Sequence, residues 1–317
     1  MKFRTEVEIT NSNKKIEVED QVFSMGSCFA SEMANLLQTG QIQTLNNPFG
    51  TLFNPFSINK SFKKLHNASF YEEGNLISYN EEFISLDHHS SFNSRFLHQT
   101  LDKINHYIEK GNQFLQNTNW VIITYGTSYI YEFLPKKKLV ANCHKIPGKF
   151  FQKRLLTHLE LTDSIYETVT NVQDICKDDV QILFTVSPVR HTKDGMIENT
   201  LSKSKLITAI HEILPQFSNC HYLPVYELMN DDLRDYRFFK DDLIHPNKQA
   251  IQYIWEKFGK AYFSQETQEF ITENFKIAKA LEHKTADDKN PKFLEFQQNL
   301  KNKIASQQSK VKHKIFV

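Results

Sequence analysis

Four short apolar runs, separated by stretches of helical periodicity, constrain the fold of this 317-residue chain more than any other feature. They occupy residues 21–25, 120–125, 180–186 and 221–225. Each run has the length and composition of a strand that is buried in a parallel sheet. Between and after the runs, apolar residues recur at helical spacing, for example at Leu206, Ile207, Ile210 and Leu214. Because strands that alternate with helices form βαβ units, the sequence predicts an α/β fold with a doubly wound parallel sheet.

Polar clusters follow three of these runs at the point where each predicted strand ends. In chain order they are Gly26-Ser27-Cys28, Gly126-Thr127-Ser128 and Ser187-Pro188-Val189-Arg190-His191. Ligands of such sheets bind beyond the carboxyl ends of the strands. We therefore expect one active site, at this edge of the sheet.

The first cluster occupies a predicted strand-to-helix turn. A turn of this kind presents a side chain at the sheet edge, where the amides of the new helix can face a developing negative charge. Both Ser27 and Cys28 are candidate nucleophiles. The structural alternative is that Gly26 only turns the chain and Cys28 packs as a small apolar residue.

A second candidate for catalysis lies near the end of the apolar pattern, at Asp242 and His245. An Asp three residues before a His can bind one ring nitrogen and fix the tautomer, so that the other nitrogen serves as a general base. A nucleophile early in the chain and an Asp and His late in it is one known order for acyl-transfer triads. The alternative is an ion pair that caps the helix after Pro246.

Composition excludes several classes of partner. With 38 basic and 37 acidic residues, the net charge of +1 gives no reason to expect a nucleic-acid or membrane-surface partner. The chain has no apolar run typical of a signal peptide or of a membrane span of about 18 residues. Its four cysteines have no CxxC spacing and do not suggest a disulfide framework, so we expect a cytoplasmic protein. We expect no cofactor and no bound metal, since the His and Cys residues lack good ligand spacing.

The pattern changes after residue 262. Two amphipathic helices are predicted there amid Lys, Gln and Glu, with apolar positions at Ile271, Phe275, Phe293, Phe296 and Leu300. We therefore expect a main domain over 1–262 and a helical tail over 263–317. The tail is expected to pack on the domain or, in a homodimer, on a second copy of the chain.

Several motifs in this order resemble those of the GSCFA family, a branch of the SGNH/GDSL hydrolase superfamily. They are residues 26–30 (GSCFA), 47–55 (NPFGTLFNP), 126–127 (GT), 140–145 (VANCHK), 185–191 (TVSPVRH), 233–238 (LRDYRF) and 242–246 (DLIHP). The resemblance covers most of residues 1–260. It implies a three-layer α/β/α sandwich, flavodoxin-like in strand order, with a Ser-His-Asp triad.

Carried over to this chain, the resemblance assigns His245 and Asp242 to the closing Asp-x-x-His motif. Where the superfamily has Gly-Asp-Ser, this chain has Gly26-Ser27-Cys28, so Cys28 stands in the place of the nucleophile. Three outcomes are open: Cys28 attacks as a thiolate, Ser27 attacks one position earlier, or hydrolysis is lost. A helix N-terminus and a neighbouring His would lower the pKa of a thiol, which favours Cys28.

The remaining candidates are donors to the oxyanion and groups that bind substrate. The superfamily's Gly-x-Asn-Asp is replaced by residues 126–129 (GTSY), so its asparagine donor is missing there. Candidate donors are the amides of Cys28 and Gly50, the hydroxyls of Thr127 or Ser128, and Asn142. Candidate substrate-binding residues are His89, His144, Arg190, His191 and Arg237.

The predicted activity is hydrolysis of an acyl ester, as by a deacetylase or esterase that acts on a carbohydrate or a similar polar conjugate. One alternative is an acyltransferase that passes the acyl group to a sugar hydroxyl. Another is a non-catalytic protein that keeps the cleft and binds a ligand without turnover.

Overall fold

The computed structural model describes residues 5–282 and 290–317. In chain order its elements are β1 (Gln21–Gly26), α1 (Cys28–Thr39), β2 (Gln43–Asn46), α2 (Pro55–His66), β3 (Ile77–Tyr79), β4 (Glu82–Ile84), α3 (Leu97–Leu115), β5 (Trp120–Tyr125), β6 (Tyr129–Phe133), β7 (Lys138–Val140), β8 (Phe151–Leu155), α4 (His158–Ile175), β9 (Gln181–Val186), α5 (Met196–Ile213), β10 (Cys220–Tyr222), α6 (Val225–Glu227), α7 (Lys248–Tyr262), α8 (Gln265–Leu281) and α9 (Pro291–Gln308).

The central sheet has five parallel strands in the order β10-β9-β5-β1-β2. When the five strands of this sheet are renumbered in chain order, their spatial order is that of a flavodoxin-like doubly wound fold. Gly26 lies opposite Thr124 and Thr124 lies opposite Thr185, so β1, β5 and β9 end at nearly the same level. The predicted fold class is confirmed, and the three polar clusters meet at one edge.

The strands are buried on both faces, which explains their continuous apolar runs. In β1, Phe23 and Met25 face the core that includes α2, α3, α4 and α5, whereas Val22 faces the core that includes α1, α7 and α8. The same alternation in β5 sends Val121 to the first core and Ile122 to the second. The protein is therefore a three-layer α/β/α sandwich.

Several short elements carried too weak a pattern to be predicted. In β2 only Leu45 is buried, and β6, β7 and β8 form a separate antiparallel sheet whose residues are mostly half-buried. β3 and β4 form a hairpin. The fourth predicted strand is shorter than expected, and it lies at the sheet edge, as Pro224 indicated.

The first helix of the predicted tail packs on the main domain. In α8, Phe270 and Ile271 are buried in the same core as α1, and Asn274 Nδ2 donates to the Gly40 carbonyl at 3.0 Å. α9 contacts α8 through the ion pair of Lys303 and Glu273, at 3.2 Å. The division at residue 262 and the homodimer remain predictions. Among the described residues, no helix is long and apolar enough to span a bilayer.

Candidate active site

The turn between β1 and α1 depends on Gly26. Its φ is +148°, and a Cβ at this position would lie 2.2 Å from the Thr124 carbonyl oxygen on the neighbouring strand. Only glycine allows that approach without displacing the backbone. The Gly26 amide donates to Asn47 Oδ1 at 2.7 Å, and Asn47 Nδ2 donates to Ser31 Oγ at 2.9 Å. The turn is thereby fixed to the segment that follows β2.

The two candidate nucleophiles in this turn have different surroundings. Ser27 precedes α1, is 1% exposed, and its Oγ has no hydrogen-bond partner among the described residues. Cys28 is half-buried and lines a small pocket together with His245. The structure therefore brings the thiol, and not the hydroxyl, to the pocket that holds the imidazole.

The electrostatics of the thiol combine opposing effects. On balance the pKa of Cys28 is raised, because burial outweighs the hydrogen bonds from the amides of Cys28 and Phe29 and the charge of Lys203, which act to lower it. This corrects the expectation that the helix N-terminus and His245 lower the pKa of the thiol. These amides lie at the start of α1, where backbone N–H groups have no partner within the helix. They can therefore stabilise a negative charge on sulfur or on a substrate oxygen.

Asp242 holds His245 in one orientation. Its Oδ2 accepts from His245 Nδ1 at 2.7 Å, and its Oδ1 accepts from the amides of Ile244 and His245 at 2.8 and 3.0 Å. The amide hydrogen bonds, with the imidazole bond, lower the pKa of Asp242 to about 2, so the carboxylate is charged at neutral pH. Among the described residues His245 Nε2 has no hydrogen-bond partner, so it does not bond the Cys28 thiol in this structure, and its lone pair can accept a proton while Nδ1 donates to Asp242.

Arg190 anchors the loop that carries this pair. Its amide donates to the Ile244 carbonyl at 3.3 Å, and its guanidinium lies 4.0 Å from the centre of the Phe239 ring. Nη1 also approaches the Leu243 carbonyl, at 3.4 Å. The side chain predicted to bind substrate thus joins the His245 loop to the end of β9.

The pocket between Cys28 and His245 is narrow and largely apolar. Phe29, Val189, Pro246 and Ile251 line it, together with the charged pair of Glu32 and Lys240. The Glu32 and Lys240 side chains approach to 3.7 Å. The space beside the thiol therefore suits a small apolar group with charged side chains next to it.

The predicted hydroxyl donors to an oxyanion have other partners. Thr127 Oγ1 and Ser128 Oγ both contact Ser202 Oγ, at 2.9 and 3.1 Å, and Ser128 is fully buried. The Tyr129 amide also donates to Thr127 Oγ1. These hydroxyls attach the turn after β5 to α5, and their role as donors to an oxyanion stays a prediction.

Gly50 and Asn142 also have internal partners. The Gly50 amide donates to the Asn47 carbonyl at 2.7 Å, and its φ of +73° brings it against the His89 side chain. Asn142 Oδ1 accepts from the His144 amide at 3.0 Å. The Gly50 amide therefore has an acceptor within its own turn, and the roles of Gly50 and Asn142 at an oxyanion stay predictions.

Three other predicted binding residues lie in local networks outside this pocket. His89 Nδ1 contacts Ser91 Oγ, and His144 Nε2 contacts the Ser85 carbonyl at 2.8 Å. Arg237 pairs with Asp235 at 3.5 Å. The structure does not bring these side chains to the Cys28 pocket.

His191 remains close to the site. Its ring meets Phe53 edge-on, its Nε2 is buried without a partner among the described residues, and a Cβ on Gly126 would lie 3.3 Å from that nitrogen. Burial, with nearby Lys203, lowers the pKa of His191 to about 4. His191 is therefore neutral at physiological pH.

Sequence reasoning missed Lys203. This side chain is 1% exposed, and its Nζ donates to the carbonyls of Gly126 and Ser187, at 2.7 and 2.6 Å. A signal was present, because Lys203 shares a helical face with Leu206 and Ile210. A lysine on the buried face of an amphipathic helix is a candidate functional group.

Within residues 5–282 and 290–317, no three acidic, His or Cys side chains are grouped to hold a metal ion.

Three solved structures are similar to this chain at low sequence identity. A family 3 carbohydrate esterase from Talaromyces cellulolyticus has a TM-score of 0.39 and 7% identity, over 80% of this chain and 98% of that one. A family 3 carbohydrate esterase from Clostridium thermocellum has a TM-score of 0.37 and 8% identity, over 81% and 98%. A family 2 enzyme with a carbohydrate-binding domain from Corynascus thermopiles (Myceliophthora fergusii) has a TM-score of 0.39 and 10% identity, over 79% and 67%. These likenesses are too weak to assign an activity.

No curated protein matches the chain. The family model, in contrast, matches residues 21–258, from the first strand of the sheet into α7. This range includes the turn after β1 and the Asp242–His245 pair. It confirms the resemblance expected from the motifs, and the chain belongs to the GSCFA family.

Proposed function

We propose that this protein is an esterase that cleaves small acyl esters, with Cys28 as nucleophile and His245 as general base. The observation that carries the proposal is one arrangement: Cys28 and His245 line the same pocket, and Asp242 binds the far side of the imidazole at 2.7 Å. More than two hundred residues separate the thiol from this pair in the chain. A nucleophile, a base and a group that orients the base are the parts that acyl transfer requires.

In the proposed reaction, the thiol gives its proton to His245 Nε2 and sulfur attacks the acyl carbonyl. The amides at the start of α1 stabilise the oxyanion of the tetrahedral intermediate. When the intermediate collapses, the C–O bond breaks and His245 returns the proton to the leaving alcohol. Water then attacks the thioester with His245 as base, the C–S bond breaks, and His245 returns the proton to sulfur as the carboxylic acid leaves. Asp242 stays ionised throughout, because its pKa is lowered to about 2.

The pocket supports a short acyl group such as acetyl, since Phe29, Val189 and Ile251 leave little room beside the thiol. Glu32, Lys240 and the half-exposed Asp242 lie next to the pocket and favour a polar alcohol part. We therefore propose an acetylated carbohydrate or similar polar conjugate as substrate.

Mass spectrometry of the protein after brief exposure to p-nitrophenyl acetate tests this proposal. We expect a single acetyl adduct on Cys28, absent in Cys28→Ala and retained in Ser27→Ala. His245→Asn should slow formation of the adduct by about a hundredfold or more, as loss of a general base does. An adduct on Ser27, or no adduct on folded protein, would overturn the assignment.

The same reaction with an added sugar alcohol separates hydrolysis from transfer. A hydrolase releases acetate at a rate that the acceptor does not change, whereas an acyltransferase turns over faster and yields the acetylated sugar. Sugar binding that survives Cys28→Ala, with no turnover in the unchanged protein, would indicate a non-catalytic binding protein.

A further inference from the structure

Lys203 is the buried cation nearest to the strand ends that form the candidate site. It lies on α5, and its Nζ donates to Gly126 after β5 and to Ser187 after β9. Both acceptors are neutral carbonyls. Among the described residues, no carboxylate lies within ion-pairing distance of Nζ.

A buried ammonium without a counter-ion is costly, so a purely structural role for Lys203 is poorly explained. A neutral polar donor could satisfy the carbonyls of Gly126 and Ser187 without that cost. Burial lowers the pKa of Lys203 to about 7, and among the described residues it is a charge on Cys28 that acts in the opposite direction. Protonated Lys203 therefore needs a nearby anion. The acidic group whose charge interacts with it is the Cys28 thiol.

The register of the sheet places the amine near the thiol. Cys28 follows β1, Gly126 follows β5 and Ser187 follows β9, and these three strands are adjacent and end level. Neighbouring strands lie about 5 Å apart and Nζ bonds the ends of β5 and β9, so the amine lies close enough to the start of α1 for its charge to act on the thiol. At such distances in a partly buried site, opposite charges attract substantially.

We propose that Lys203 is a positioning residue that acts through Cys28, its ammonium charge stabilising the thiolate. In this step the S–H bond breaks, the electron pair stays on sulfur, the proton passes to His245, and the ammonium charge remains on Lys203. Because each charge favours the other, formation of the thiolate and protonation of the amine are coupled. This inference rests on the proposed function, in which Cys28 is the nucleophile.

Other titratable groups lie near Lys203 and Cys28 and affect how the ionisation of the thiol depends on pH. Glu32, on the same helix as Cys28, raises the pKa of the thiol. His191, after β9, is neutral above about pH 5 because its pKa is lowered to about 4. The Tyr226 ring of α6 lies 6.0 Å from Nζ, and its hydroxyl pKa is raised by burial. His245 lines the same pocket as the thiol, so a His245→Asn variant is measured in parallel.

The test is the rate of alkylation of Cys28 by iodoacetamide between pH 6 and pH 10, read by peptide mass spectrometry. No substrate is needed. We expect Lys203→Met to raise the midpoint of the profile by about one pH unit and to lower the rate at pH 7.5 about tenfold. The other cysteines are internal references, because burial raises the pKa of Cys143 to about 11 and those of Cys176 and Cys220 to about 12.

Ser202→Ala is the matched control. It removes the hydroxyl that holds Thr127 and Ser128, beside Lys203, and leaves all charges in place. We expect its midpoint to equal that of the unchanged protein. Lys203→Gln, an uncharged side chain that keeps two N–H donors, provides the comparison if Lys203→Met does not fold.

An unchanged midpoint in the folded, uncharged variant would overturn the proposal, as would an equal shift in Ser202→Ala. The outcome is independent of esterase activity. If no acetyl adduct forms on Cys28 but the midpoint still shifts in Lys203→Met, the proposed function fails and the charge coupling stands. If the adduct forms and the midpoint does not shift, the proposed function stands and the charge coupling fails.

Discussion

Neighbouring residues can have unlike environments, as Ser27 and Cys28 show at the end of β1. Ser27 has extended backbone angles, with φ −69° and ψ 175°, whereas Cys28 begins α1. The change from extended to helical geometry between them points their side chains in different directions. Ser27 is consequently enclosed and Cys28 opens to the pocket.

His88 shows a different consequence of burial. Its ring stacks on Phe49, with centroids 4.5 Å apart, and its Nδ1 contacts Ser85 Oγ at 2.8 Å. It is fully buried, and burial lowers its pKa to about 3. The folded protein therefore keeps this imidazole neutral under conditions in which an unfolded chain protonates it.

We predict that His88 makes the protein sensitive to acid. Since its pKa is lower in the folded state than in the unfolded chain, its contribution is fully present above pH 6.5. It is lost as the pH falls toward 3. Between pH 6.5 and 4.5 the free energy of unfolding should fall by about 2 to 3 kcal/mol from this group alone.

Urea unfolding of His88→Phe at these two pH values checks the prediction. The variant should lose less stability on acidification than the unchanged protein does. His98→Phe, at an exposed histidine, is the control and should behave like the unchanged protein. Equal acid sensitivity in all three proteins would contradict the prediction.

At the scale of elements, the connection between β1 and α1 requires a glycine. The chain leaves the strand at Gly26 while its Cα lies against the backbone of β5. The two strands pair through Gly26 and Thr124, so neither can move away without breaking the ladder.

We expect Gly26→Ala to lower the free energy of unfolding by about 3 kcal/mol, because its Cβ would clash with backbone and its φ would be strained. Thermal or urea unfolding measures the change. Gly74→Ala is the control, since an added Cβ there would have no heavy atom within 4 Å. Equal stability of the two variants would show that the turn can relax.

The strands that could be predicted differ from those that could not in how much of their surface is buried. β1, β5 and β9 are buried on both faces, so their apolar runs stand out in the sequence. In β6 and β8, apolar residues alternate with exposed or half-buried polar ones. β2 has four residues and lies at an edge of the sheet.

At the scale of the whole molecule, α8 completes the core on one side of the sheet. Ile271 contacts Gly40 at the end of α1, and Phe270 and Ile277 are fully or almost fully buried. The Ile16 amide donates to the Tyr262 carbonyl, which joins the N-terminal segment to the end of α7.

We predict that a chain ending at residue 262 is less stable than the full chain by at least about 4 kcal/mol, because three large apolar side chains of α8 lose their burial. Ile271→Ala should cost about 3 kcal/mol. Leu281→Ala, at a half-exposed position of the same helix, should cost little. Thermal unfolding measures all three. An unaffected truncated chain would support the division at residue 262.

The predicted homodimer is tested by light scattering of the full chain, which measures its mass in solution.

The fold class, the edge of the sheet that carries the candidate site and the local Asp242–His245 pair could all be predicted from the residues alone. These properties depend on periodic burial and on residues close together in the chain, which a sequence pattern records directly. The folded structure was needed to show that Cys28, and not Ser27, lines the pocket with His245, and that Thr127 and Ser128 bind Ser202. The folded structure was also needed to place the Lys203 amine at the ends of β5 and β9. Each of these contacts joins distant segments, and the direction of a side chain there is set by packing between layers, which no local pattern encodes.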